Sequence, residues 1–158
     1  WLAISAATDN GPITKTKKGD FTIRPAIGAQ VISIDSLINL IENGNAGQIA
    51  DARSPGRFSG IDPEPRTGLR GGHMPGASNV PISSLIDKDG SLRPNEEIAE
   101  AFRSAGIDSK ERVITTCGSG VTACGLALGL ALLGNDNVLV YDGSWSEWGA
   151  SDAPIEKN

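Results

Sequence analysis

The stretch Val113-Ile114-Thr115-Thr116-Cys117-Gly118-Ser119-Gly120-Val121-Thr122-Ala123-Cys124 decides how this chain folds. A β-branched run ends in a cysteine, a small-residue turn follows, and an apolar helical pattern then runs from Thr122 to Leu133. Strand, glycine-rich turn and helix in that order aim several backbone N–H groups and a helix N-terminus at one point. Such a point favours an anion. A cysteine placed there has a depressed thiol pKa and is a thiolate near neutral pH.

Strands and helices alternate on both sides of this segment. Val31-Ile32-Ser33 reads as a short strand, and Ser33 or Asp35 caps a helix from Ser36 to Asn43 that Gly44 ends. Leu37, Ile38, Leu40 and Ile41 lie at helical spacing. A second strand, Gln48 to Arg53, runs into Ser54-Pro55-Gly56-Arg57-Phe58. The long loop from Ser59 to Gly72 carries Arg66 and Arg70, and a loop of that length in a compact domain is often functional. A third strand covers Ser78 to Pro81. Asp87, Asp89 and Glu96 match calcium-loop spacing around Gly90, but Leu85 takes the first ligand position, so this is a tight turn. A helix follows over Asn95 to Ala105, with Ile98, Ala101, Phe102 and Ala105 on one face. Arg112 to Thr116 and Asn137 to Tyr141 complete five strands. The helix after Cys117 is apolar nearly all round and is expected to be buried. Cys124 is expected to be a small core residue within it.

This alternation predicts an α/β fold, a mostly parallel five-stranded sheet with helices on both faces. Ligands of such sheets bind beyond the carboxyl ends of strands. The Cys117 loop and the Arg53–Arg57 segment both follow strand ends and are expected to share a crevice.

The 158 residues suit one core, with residues 1–24 read as a linker or extended arm and 25–158 as the domain. Net charge is −5 and no basic cluster exceeds Lys15–Lys18, read as solvated, so no nucleic-acid footprint is expected. The longest apolar run is far short of a membrane span, and residues 1–20 lack the apolar stretch of a signal peptide. Two cysteines and the single His73 do not fill a tetrahedral zinc site. Neither a metal nor an organic cofactor is expected. This cysteine usage fits a reducing compartment, and a cytoplasmic location is the expectation.

Three chemistries compete for the loop. Gly118-Ser119-Gly120-Val121-Thr122-Ala123 matches a dinucleotide fingerprint, with Asp142 about where a ribose-binding acid belongs. However, the motif sits on the fourth strand, only 16 residues follow Asp142, and Cys117 is left without a role. A cysteine phosphatase needs an arginine six residues after the nucleophile, to clamp the phosphoryl oxygens. That position is Ala123. Sulfur transfer needs a low-pKa thiolate, N–H donors from Gly118, Ser119, Gly120, Val121 and Thr122, and cations for an anionic donor. Arg57 and Arg66 are the candidates.

The chain resembles the C-terminal, catalytic domain of tandem-domain rhodanese-family sulfurtransferases. The matching stretches are Asp51-Ala52-Arg53, Gly56-Arg57-Phe58, Pro63-Glu64-Pro65-Arg66, Gly72 to Ala77, Cys117 to Ala123 and Tyr141 to Trp148. They run in the family's order from about residue 30 to the end. The resemblance implies a five-stranded parallel sheet between helices. It implies Cys117 as the sulfur-carrying nucleophile and Ser119 as a hydroxyl that assists proton transfer. Arg57 and Arg66 would hold the carboxylate and carbonyl of 3-mercaptopyruvate. Thiosulfate-preferring members carry basic side chains just after the cysteine, whereas Gly118 and Ser119 are neutral and favour a less charged donor. The implied acceptor is a thiol such as thioredoxin, a small thiol or cyanide. The implied partner is an N-terminal rhodanese domain that closes the site, with a surface around residues 145–148 exposed to meet it. Thiosulfate transfer and a non-enzymatic module for anions or protein partners are the alternatives.

His73 reads as a structural residue of its turn ahead of a general base for Cys117. Asp51 and Arg53 brace strand and loop, and Asp142 fixes the last turn. Trp145 and Trp148 fit either an interface or a core lid.

Overall fold

In the computed structural model, residues 30–157 are described without a break, together with residues 5, 7, 8, 10–12, 15 and 17–22. The expected arm at 1–24 is therefore described only in part, and Ile23 and Arg24 at its end lie outside the described residues. The elements are β1 (Gln30–Val31), α1 (Ile34–Glu42), β2 (Gln48–Asp51), α2 (Pro55–Ser59), β3 (Ala77–Asn79), a 3-10 turn (Ile82–Ser84), α3 (Asn95–Ser104), β4 (Val113–Thr116), α4 (Val121–Leu132), β5 (Val138–Val140) and α5 (Ser144–Trp148).

The five strands form one sheet in the order β1-β5-β4-β2-β3, with every pairing parallel. Register aligns Ile49 with Ile114 and Ile114 with Leu139, and alternate residues face opposite sides. Ile49 and Ile114 join Leu37 of α1 and the α5 tryptophans in one core layer. Ala50, Val113, Val138 and Val140 meet Ile98, Phe102, Leu126 and Leu130 of α3 and α4 in the other. Both faces are covered, which is why strand residues are apolar or small on each side. β4 is central. The chain leaves β2 toward β3 on one side and leaves β4 toward β5 on the other. The crevice between diverging connections therefore lies beyond the carboxyl ends of β2 and β4.

Local signals set the element ends. Ser33 caps α1, its hydroxyl accepting from the Ser36 N–H. Pro55 opens α2 at its first turn, where a missing N–H costs nothing. The expected loop from Ser59 to Gly72 is thus preceded by a helical turn that the sequence reading left out. The third strand is also shifted, Ala77–Asn79 in place of Ser78 to Pro81, because the chain turns into the 3-10 segment directly after Pro81. The Asp87–Ser91 segment is the expected tight turn, closed by an Asp87 N–H to Ser91 carbonyl bond of 2.8 Å.

Two expectations fail here. The α4 helix is not buried all round, since Val121, Leu128 and Leu132 are exposed. Cys124 is exposed on that helix and is not a core residue. Only the Ala123, Leu126, Ala127 and Leu130 side of α4 meets the sheet and α3. The tryptophans, left open between an interface and a core lid, take the core reading. Trp145 and Trp148 are both fully buried, while Ser146 between them is half-buried and Glu147 exposed. Their indole N–H groups donate to the carbonyls of Arg70 (2.8 Å) and Pro154 (2.9 Å), which makes such burial affordable for a polar ring.

The two sides of α4 should respond differently to truncation. Leu126→Ala should cost about 2–5 kcal/mol in urea denaturation. Leu128→Ala should stay within about 0.5 kcal/mol of the parent.

Candidate active site

Cys117 immediately follows β4 and is 2% exposed. Burial pushes its thiol pKa up. Four hydrogen-bond donors push it down and prevail: the Thr122 hydroxyl, the N–H groups of Ser119 and Ala123, and the Ser144 hydroxyl. The Ser119 N–H lies 3.4 Å from the sulfur. The net shift is downward from the ordinary thiol value. This follows the general rule that donors to the charged form stabilise it.

The loop takes this shape because Gly120 is left-handed (φ 85°) and passes close to the next strand end. A Cβ on it would lie 2.6 Å from the Asp142 carbonyl oxygen. Asp142 therefore packs against the loop as part of a turn, in line with its expected structural part. Of the five N–H groups expected to cradle sulfur, that of Ser119 bonds Cys117 directly, and the Thr122 contact comes from its hydroxyl. Gly118 and Gly120 let the loop pack closely against Arg57 and Asp142, and Val121 opens α4 with its side chain exposed. The Ala123 N–H was not among the expected donors.

Ser144 was also missed. It is fully buried and left-handed at φ 48°, a conformation that costs a non-glycine residue free energy. Its Oγ accepts from the Cys117 N–H at 3.1 Å. Its single proton has two acceptors in reach, the Tyr141 carbonyl at 2.9 Å and Cys117 Sγ at 3.8 Å. The sequence signal was the turn straight after β5, the strand beside β4, which brings Asp142-Gly143-Ser144 next to Cys117.

The second wall comes from the segment after β2. Arg57, Glu64, Pro65, Arg66, Leu69, Gly118, Ser119 and Ser146 line a cleft of about 170 Å³. Arg57, Arg66, Gly118 and Ser119 are thus brought together as the sequence implied. The Arg57 guanidinium lies against Gly118, where a Cβ would be 2.9 Å from its Nη2. Arg57 Nη2 also donates to Glu64 at 2.6 Å. Arg66 donates to Ser146 Oγ, and that hydroxyl donates to the Gly118 carbonyl at 2.6 Å.

Arg53 braces both walls from below, as expected of a structural residue. It is buried, holds Asp51 through Nε and Nη2, reaches Glu64 at 3.0 Å and the Gly72 carbonyl at 2.8 Å, and lies 4.1 Å from the Trp145 ring centre. His73 is committed elsewhere. Its Nδ1–H donates to the Phe58 carbonyl at 2.9 Å, its ring stacks on Phe58 at 3.9 Å, and its backbone pairs with Glu156. Among the described residues no group of three or more His, Cys, Asp or Glu side chains is placed to hold a metal ion.

The rhodanese-like domain family matches residues 33–151. The chain belongs to this family. It is 45% identical over 112 residues to mouse 3-mercaptopyruvate sulfurtransferase, covering 70% of this chain and 38% of that protein. It is 43% identical over 127 residues to the Arabidopsis thaliana mitochondrial thiosulfate/3-mercaptopyruvate sulfurtransferase 1, covering 80% of this chain and 33% of that one. The crystal structure of SseA from Escherichia coli, a rhodanese fold, superposes with a TM-score of 0.68 at 33% identity, covering 93% of this chain and 53% of SseA. The chain thus spans well under half the length of these two curated relatives.

The donors to Cys117 set a pH test. Thr122→Val and Ser144→Ala each remove a group that lowers the thiol pKa, so the midpoint of Cys117 alkylation against pH should move upward in both. Fragment-ion mapping by mass spectrometry assigns the label to Cys117 or to the exposed Cys124, which share one tryptic peptide. An unchanged midpoint in both variants would contradict the hydrogen-bond account.

Proposed function

We propose that this domain transfers sulfur from 3-mercaptopyruvate through a persulfide on Cys117. The observation that carries the reading is a low-pKa cysteine, ringed by four donors, beside a cleft lined by two arginines. Cys117 thiolate attacks the donor sulfur, and a sulfur–sulfur bond forms. The donor's carbon–sulfur bond breaks, its electron pair leaving on the enolate of pyruvate, which then takes a proton. Arg57 and Arg66 hold the carboxylate and the oxygen on which enolate charge develops, the arrangement that stabilises charge where it appears. In this reading the hydroxyl of Ser119, a residue of the cleft wall, assists the proton transfer. An acceptor thiolate, from a small thiol or a protein such as thioredoxin, then takes the outer sulfur and restores Cys117.

The names of the mouse and Arabidopsis relatives support the donor class, and the second of these supports thiosulfate as an alternative donor. The neutral Gly118 and Ser119 favour 3-mercaptopyruvate. A second rhodanese-like domain that covers the cleft belongs to this reading, supported by the greater length of the relatives.

Mass spectrometry after donor treatment should show one added sulfur on Cys117. If Cys117→Ser gains sulfur as readily as the parent, the reading is wrong. Arg57→Gly and Arg66→Gly should each slow persulfide formation from 3-mercaptopyruvate by about 10- to 100-fold, the loss of one charge-assisted contact.

A further inference from the structure

Glu64 lines the donor cleft, yet the sulfur chemistry assigns it no step. Its side chain is 2% exposed. Its carboxylate accepts from Arg53 at 3.0 Å and from Arg57 at 2.6 and 3.3 Å. Arg53 is already matched by Asp51, which it grips through two nitrogens. That leaves Arg57 and Arg66 facing the cleft against one carboxylate, Glu64. The remaining polar lining, Gly118, Ser119 and Ser146, is neutral.

We infer that Glu64 is a specificity-determining residue: it cancels one of the two guanidinium charges and holds the cleft at one net positive charge. This inference rests on the reading of Arg57 and Arg66 as the donor clamp. A single net charge suits a donor that presents one carboxylate. Each fixed charge acts on a dianion such as thiosulfate twice as strongly as on a monoanion, so the carboxylate behind Arg57 repels thiosulfate by twice as much. Selectivity of this kind comes from what the site rejects as much as from what it holds. The protein's overall charge of −5 acts on both donors from a distance and is screened by salt, whereas the Glu64 charge is buried at the cleft wall and is screened much less.

The test compares single-turnover persulfide formation on Cys117 with thiosulfate and with 3-mercaptopyruvate, on one preparation of each variant. The ratio of the two rates is independent of the folded fraction, so a destabilised variant still reports. Glu64→Gln should raise the thiosulfate-to-mercaptopyruvate ratio about tenfold, the effect of one unit charge a few ångströms away in a partly solvated site. Glu64→Asp keeps the charge and shortens the arm. It should slow both donors and leave the ratio within about twofold of the parent. Glu42→Gln, an exposed position at the end of α1, changes net charge equally and should leave the ratio alone. A flat ratio in Glu64→Gln, or an equal shift in Glu42→Gln, overturns the assignment. If Arg57→Gly and Arg66→Gly slow 3-mercaptopyruvate while Glu64→Gln leaves the ratio flat, only the role of Glu64 falls. If those two arginine variants leave both donors unaffected, the donor-clamp reading falls and takes this inference with it.

Discussion

The buried guanidinium of Arg53 is the interaction on which the arrangement of the site depends. It ties the end of β2, through Asp51, to the long loop at Glu64 and Gly72, and it lies over Trp145 of α5. No apolar residue could join these three segments, because each presents oxygen atoms or an aromatic face. Bringing a charge inside costs desolvation, which is offset only where geometry is good and every donor is used. Removing one partner from such a set leaves an uncompensated charge, a loss of about 3–5 kcal/mol. The brace is therefore a poor place for variation and a firm base for the cleft above it.

From that base, two separate devices meet at the cleft. The loop after β4 and the turn after β5 shape the sulfur site, using backbone N–H groups and hydroxyls. The segment after β2 supplies the cations. Both follow from the sheet order, which seats β2 and β5 on either side of β4. Ser144 shows how tightly the sulfur site is specified. A left-handed serine is strained where glycine would be relaxed, but glycine has no hydroxyl to bond the Cys117 N–H.

Much of this was legible in the sequence because the signals were local. β-branched runs, Ser33 and the glycines after helices gave the α/β order, and Cys117 stood out through the small residues that follow it. The misreadings have one physical source. Apolarity along a line does not say which side of an element has a neighbour. In α4 nearly every residue is apolar, so no period marks the packed face, and Cys124 was assigned to the core. Choosing between interface and core for Trp145 and Trp148, which the sequence left open, needed knowledge of the Arg70 and Pro154 carbonyls, 75 residues before the first tryptophan and 6 after the second. Glu64 was quoted only as part of the Pro63–Arg66 match and given no role, because its partners are 7 and 11 residues back on segments that only the fold brings near.

The central position of β4 has a consequence for the life of the chain before it is folded. The groups that lower the thiol pKa lie in the turn of α4 and, at Ser144, beyond the next strand. Arg57 precedes the cysteine by 60 residues. Contacts of such separation form late, after β2, β4 and β5 have paired. Until then only the donors close in sequence, Ser119, Thr122 and Ala123, can reach the thiol, and the Ser144 hydroxyl and the Arg57 guanidinium are missing. Assembly of the sheet thus acts as a safety catch: the nucleophile is fully armed only once the pocket that governs its choice of partner has closed around it.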